Sequence, residues 1–176
     1  ICCKLLGWSV APSVEHPPSR RASAVNSFSA RNVSEETVPY DVDALWEVLT
    51  DAKTLQKLTP LVHRITPDGD RWLWEMTSVP VLNQKFKPVF TALMDFDPKK
   101  GISYSHDPAR SDELVAVDGI YTLTPVDGGT HLSIDIDITA RLPFPKIMGP
   151  AVRAAMTVVM TQMGNGFARN LDKHLR

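Results

Sequence analysis

Between Leu61 and Leu142 apolar and polar residues alternate with a period of two, and turn signals recur at strand-like intervals. The clearest case is Thr130–Arg141, where Leu132, Ile134, Ile136 and Ile138 point one way and Ser133, Asp135, Asp137 and Thr139 the other. Such a strand has one face on a core and one in water. Val115, Val117, Gly119, Tyr121 and Leu123 likewise share a face within Leu114–Thr124, and Asp127-Gly128-Gly129 joins the two strands as a hairpin. Upstream, Leu61–Ile65 and Arg71–Val79 flank the turn Pro67-Asp68-Gly69-Asp70, with Trp72, Trp74 and Met76 on one face of the second strand. After a bend at Pro80–Asn83, Phe86, Phe90, Ala92, Met94 and Phe96 alternate along one long strand, in which Pro88 marks a bulge or an edge. Ile102, Tyr104 and His106 form a short strand after Asp97–Gly101, and Ala109–Glu113 is a polar loop.

From Pro150 to Leu175 the period becomes helical. Val152, Met156, Val159, Met160, Met163, Phe167 and Leu171 form a stripe, and Arg153, Arg169 and Lys173 lie off it. At about 1.5 Å per residue this helix reaches roughly 37 Å, enough to cross a sheet. Gly164 and Gly166 inside it permit a bend or a close approach.

The chain opens differently. Ser29–Val38 predicts a first strand, and Asp41 or Asp43 is placed to cap a short helix carrying Leu45, Trp46, Val48 and Leu49. A second short helix follows Thr50-Asp51, with Leu55 and Leu58 inward and Pro60 as its limit. The resulting order is a strand, two short helices, six further strands and one long helix. That segregation predicts an α+β fold and excludes a doubly wound α/β one. An antiparallel sheet of about seven strands is too wide for one helix while flat, so it curls around the helix, leaving room for a small ligand between them.

The segment Thr37–Asp51, with Val38-Pro39-Tyr40-Asp41-Val42-Asp43 leading into Trp46 and Leu49-Thr50-Asp51, resembles the opening of the START-like helix-grip superfamily. This is the SRPBCC group that includes polyketide cyclase/dehydrase and lipid-transport proteins. The resemblance covers about residues 29–176 in element order and departs at Tyr40-Asp41, where many relatives have Ala-Pro. It implies a deep, mostly apolar cavity and ligands such as lipids, sterols, polyketides, plant hormones or quinones.

Composition narrows the alternatives. Nineteen Lys and Arg against twenty Asp and Glu leave a net charge of −1, so no basic excess points to nucleic acid and no charge block to a membrane surface. No apolar run is long enough to span a bilayer. Residues 1–28 hold Arg20, Arg21, three prolines and several serines with Glu15 as the sole acid, and read as a mobile extension before a ligand-binding domain at 29–176. A cytoplasmic protein is expected, with organelle import left open by this transit-peptide-like leader. Cys2 and Cys3 are adjacent and offer neither a disulfide nor a metal site.

Candidate chemistry is sparse. No phosphate-binding glycine loop, His-Glu-x-x-His, Gly-x-Ser-x-Gly or Cys-x-x-Cys occurs, and neither a cofactor nor a metal is expected. Met148, Met156, Met160 and Met163 place flexible, polarisable side chains on or beside the long helix, serving either as core or as an adaptable pocket wall. Trp72 and Trp74 are core residues or a stacking surface, and Tyr104, His106 and Tyr121 are the polar tips most able to orient a ligand. Asp135, Asp137 and Asp118 read as solvated, and His63 and His131 as strand-end residues.

The ligand-binding set is therefore Trp74, Met76, Phe90, Met94, Tyr104, His106, Val117, Tyr121, Met156, Met160 and Met163. The leading expectation is a protein that sequesters, transports or presents a small hydrophobic molecule. The alternatives are a cyclase, aromatase or dehydratase using His106 and a tyrosine for proton transfer, or an accessory or assembly factor resembling the one that accompanies carbon monoxide dehydrogenase.

Overall fold

A computed structural model describes residues 25–176. Residues 1–24 of the expected leader, with Cys2-Cys3, lie outside the described residues, while its last residues, Asn26–Phe28, belong to the first strand. Strand β1 spans Asn26–Val38 and opens three residues before the expected start at Ser29, with Phe28 already buried. Helices α1 (Val42–Thr50) and α2 (Ala52–Leu58) follow. Both begin where an aspartate accepts from a free amide of the first turn: Ala44 N donates to Asp41 Oδ1 and Thr54 N to Asp51 Oδ1, each at 2.7 Å.

The remaining strands are β2 (Val62–Asp68), β3 (Arg71–Met76), β4 (Val79–Val81), β5 (Gln84–Phe86), β6 (Val89–Asp97), β7 (Gly101–His106), β8 (Val115–Val126) and β9 (Gly129–Leu142). Seven form one sheet in the order β1-β9-β8-β7-β6-β3-β2, with antiparallel neighbours throughout. The first two strands in sequence are thus its opposite edges, and α1–α2 carries the chain from one edge to the other. Helix α3 (Gly149–Leu175), entered through a 3-10 turn at Lys146–Met148, completes a helix-grip fold.

Two expectations need correction between residues 79 and 97. The bend at Pro80–Asn83 is a small separate hairpin, β4–β5, turning at Leu82-Asn83. The long strand starting at Phe86 is split: Phe86 ends β5, β6 begins at Val89, and Pro88 lies in the break. Proline has no amide to give the ladder, but its carbonyl still accepts from Met76 N at 2.9 Å. A register shift between Val62 and Arg64 marks an irregularity at the β2 edge of the sheet.

The inner face of the sheet carries the core in two clusters bridged by α3. One unites α1, α2 and the sheet centre with Phe167 and Leu171 near the helix end. The other sets Val152, Met156 and Met160 against Phe28, Ala30, Ala140, Leu142, Phe144 and Val81. Each fully buried side chain of this size contributes about 1.5–3 kcal/mol, so detaching α3 would expose both clusters at large cost. Gly166 is buried where a side chain would strike the Pro60 ring, which makes it a point of close approach; Gly164 faces open space.

Candidate functional site

Cross-strand register gathers the predicted residues on the inner wall. Trp74 lies opposite Phe90 on β3 and β6, and their rings stack with centroids 5.8 Å apart and planes 9° from parallel. Met94 lies opposite Tyr104 on β6 and β7, and Tyr104 opposite Gly119 on β8. The Tyr104 and Tyr121 rings meet at 5.9 Å, and Gly119 leaves the space that the Tyr104 phenol fills. Met76, Phe90, Met94 and Val117 are buried in the first cluster, with Trp74, Tyr104, Tyr121 and Met163 packed on its margin.

Met156 and Met160 belong to the second cluster instead. Ten of the eleven predicted residues are thus divided between two regions of the wall, and His106 belongs to neither cluster. An α-helix places residues four apart on one side, but its length carries that side over two clusters.

Polar groups on this wall are few. Burial is the main cause holding the Tyr104 phenol well above its ordinary pKa, and it also raises Tyr121. Both therefore remain neutral at physiological pH. Trp74 Nε1 is buried without a protein acceptor, the one such side-chain nitrogen or oxygen among the described residues. An orphaned buried donor of this kind costs about 1–3 kcal/mol.

His106 occupies a different setting. Its Nε2 lies 3.0 Å from Glu113 Oε2, and Glu113 also accepts from Thr91 N and Thr91 Oγ1, each at 2.7 Å. Arg110 Nη2 completes the set at 3.2 Å. Glu113, only 3% exposed at its side chain, is the group that sequence reasoning missed. Its position in a polar loop gives no sign of burial, which follows from strand pairing that brings Thr91 and His106 beside it.

Asp118, Asp135 and Asp137 face a shallow hollow of about 700 Å³ on the outer side of the sheet, together with Arg31 and Asp95. Arg31 pairs with Asp135 and lowers its pKa, while Asp118 accepts from His106 N at 3.0 Å. No group suited to hold a metal occurs among the described residues.

A second hollow, of about 510 Å³, opens at the α1–α2 end of the inner wall. Trp46, Trp72 and Phe96 line it, with Lys53 and Pro67 among the other residues at its surface. Phe96 meets Trp46 edge-on at 6.3 Å and Trp72 at 5.8 Å. None of these three aromatics is in the predicted set; the Trp46 signal lies in the opening motif, and Trp72 shares the face of Trp74.

The family model for polyketide cyclase/dehydrase and lipid transport matches residues 30–175. Among solved structures, the Zhui aromatase/cyclase from Streptomyces sp. R1128 is similar, with 17% identity and a TM-score of 0.60 over 84% of this chain and 96% of that one. A conserved protein from Geobacillus kaustophilus gives 14% and 0.58, covering 84% of this chain and 95% of its own. The di-domain aromatase/cyclase StfQ from the steffimycin biosynthetic pathway gives 16% and 0.60 over 84% of this chain and 51% of that one. At such identities the likeness establishes the fold. No curated protein matches the sequence.

Proposed function

This chain belongs to the polyketide cyclase/dehydrase and lipid transport family, and from that premise we propose that it binds a small, flat, hydrophobic ligand against the inner wall of its sheet. The observation that carries the reading is the indole N–H of Trp74, a buried donor without a protein acceptor on an otherwise apolar, aromatic-rich surface. A ligand acceptor placed there would relieve the cost of the orphaned group while the stacked Trp74–Phe90 pair supplied apolar area. The aromatic hollow at Trp46, Trp72 and Phe96 falls within the usual size range of small-molecule sites. Sequestration, transport or presentation all follow from such binding.

Native mass spectrometry of protein taken from its own cells tests this directly: a co-purifying apolar molecule is expected. A reproducibly empty protein that also takes up neither fluorescent lipids nor flat hydrophobic dyes would refute it.

The Tyr104–Tyr121 pair favours one second reading, a cyclase- or dehydratase-type enzyme in which a neutral phenol donates a proton. His106, held at Nε2 by Glu113, would have Nδ1 as its remaining proton-transfer atom. In this reading Tyr121→Phe abolishes turnover of a polyketide-like substrate and leaves binding intact; unchanged turnover removes it.

A further inference from the structure

Between Glu75 and Asp95 the sequence has no acidic residue, and between Asp137 and Asp172 it has none again. The fold lays part of one stretch on part of the other. Hairpin β4–β5 packs at the entrance to α3, where Phe86 meets Phe144 at 6.0 Å and Val81 shares a buried cluster with Phe144, Val152 and Met156.

The exposed side of this unit carries Lys85, Lys87, Lys146 and Arg153. None of the four forms an ion pair among the described residues. Carboxylates gather instead on the outer face of the sheet, at Asp95, Asp118, Asp135 and Asp137. A net charge of −1 therefore conceals a segregated surface.

Apolar side chains protrude from the same basic unit. Ile147 is 89% exposed in the turn before α3, and Leu82 is 40% exposed at the hairpin tip. Leu82 has a φ of 55°, a left-handed backbone that ordinarily selects glycine or asparagine. Isolated surface aliphatics are common, but aliphatic tips flanked by unpaired cations match an anionic bilayer surface, where the cations meet headgroups and the tips enter the acyl boundary. No described helix is long and apolar enough to cross a membrane.

We infer that the face formed by hairpin β4–β5 and the start of α3 docks this protein on anionic lipid surfaces. An acidic protein partner would engage the lysines but would not require Ile147. Docking is independent of what the inner wall binds.

Sedimentation of the full chain with vesicles tests the inference. Binding is expected to phosphatidylcholine vesicles containing phosphatidylglycerol, not to phosphatidylcholine alone, and is expected to weaken as salt rises. The double variant Lys85→Gln/Lys87→Gln should bind roughly 25-fold more weakly, from about fivefold per surface cation. Ile147→Ser should cost roughly tenfold through lost apolar insertion. Lys99→Gln, at the opposite end of β6, should change little. No binding to the mixed vesicles at low salt, or binding indifferent to both sets of variants, overturns the inference. So does equal capture by soluble poly-glutamate that depends on the lysines and ignores Ile147.

Discussion

The phenol of Tyr104 occupies the place where Gly119, its partner across β7 and β8, would carry a side chain. A Cβ at Gly119 would collide with Tyr104 Cζ and its hydroxyl. Gly119→Ala should therefore push the ring off the strand, disturb its contact with Tyr121 and destabilise the fold by about 1–3 kcal/mol, as overpacking in a filled core does. Urea denaturation measures the loss. Pairing the change with Tyr104→Ala should recover part of it, and a simple sum of the two effects would show that the ring is not the obstacle.

Two glycines of α3 should respond in opposite directions. Gly166→Ala drives a methyl into Pro60 and lowers the thermal midpoint, whereas Gly164→Ala meets open space and raises stability by up to about 1 kcal/mol through helix propensity. Equal behaviour at the two positions in thermal melts would contradict the close approach at Gly166.

The network around Glu113 predicts a steep cost for its removal. Glu113→Ala leaves Thr91 N and Oγ1 without their acceptor and separates Arg110 and His106 from a buried carboxylate. A loss of about 3 kcal/mol is expected, with Glu113→Gln losing less because its amide oxygen still accepts. Chemical denaturation of the two variants gives the comparison; identical losses would mean that the charge is the only contribution.

Alkaline pH should loosen the domain through its tyrosines. Desolvation raises the phenols of Tyr104 and Tyr121 above their ordinary 10.0, so the unfolded chain releases these protons first. Their contribution to stability is fully present below that value and is lost as pH rises through the folded-state values. Stability measured across this range should fall, and Tyr104→Phe should flatten the slope. A variant as pH-sensitive as the parent would assign the loss elsewhere.

If the inner wall takes a ligand through Trp74, the variant Trp74→Phe keeps an aromatic face but loses the N–H. Affinity for a flat ketone should then drop by about five- to tenfold relative to its hydrocarbon analogue, the worth of one hydrogen bond. Calorimetric titration of both ligands reads the difference, and parallel losses would remove the hydrogen bond from the account.

Much of this architecture is legible in the sequence because water enforces it. Ile134, Ile136 and Ile138 alternate with Asp135 and Asp137 since one face meets the core and the other the solvent, and Val152, Met156 and Met160 repeat for the same reason on a helix. Hairpin β4–β5 is unreadable because three-residue strands are too short to display a period, and Pro80 and Pro88 suggest breaks. Glu113 is unreadable for another cause: its burial depends on partners from β6, β7 and its own loop, and no local pattern records such a meeting. The aromatic hollow falls between these cases, since Trp46, Trp72 and Phe96 are each inward-facing by pattern but converge only through the fold.

Helix α3 also bears on how the domain is made. Tyr40 donates to Asp172 Oδ1 at 2.7 Å and Asn170 Nδ2 to the Leu58 carbonyl at 2.9 Å, so the end of the helix fastens the segments around α1 and α2. Those partners are separated by 132 and 112 residues. During synthesis the sheet must wait for them with its apolar face uncovered. Pairings of such long range slow folding, and the apolar face stays open to aggregation until α3 emerges.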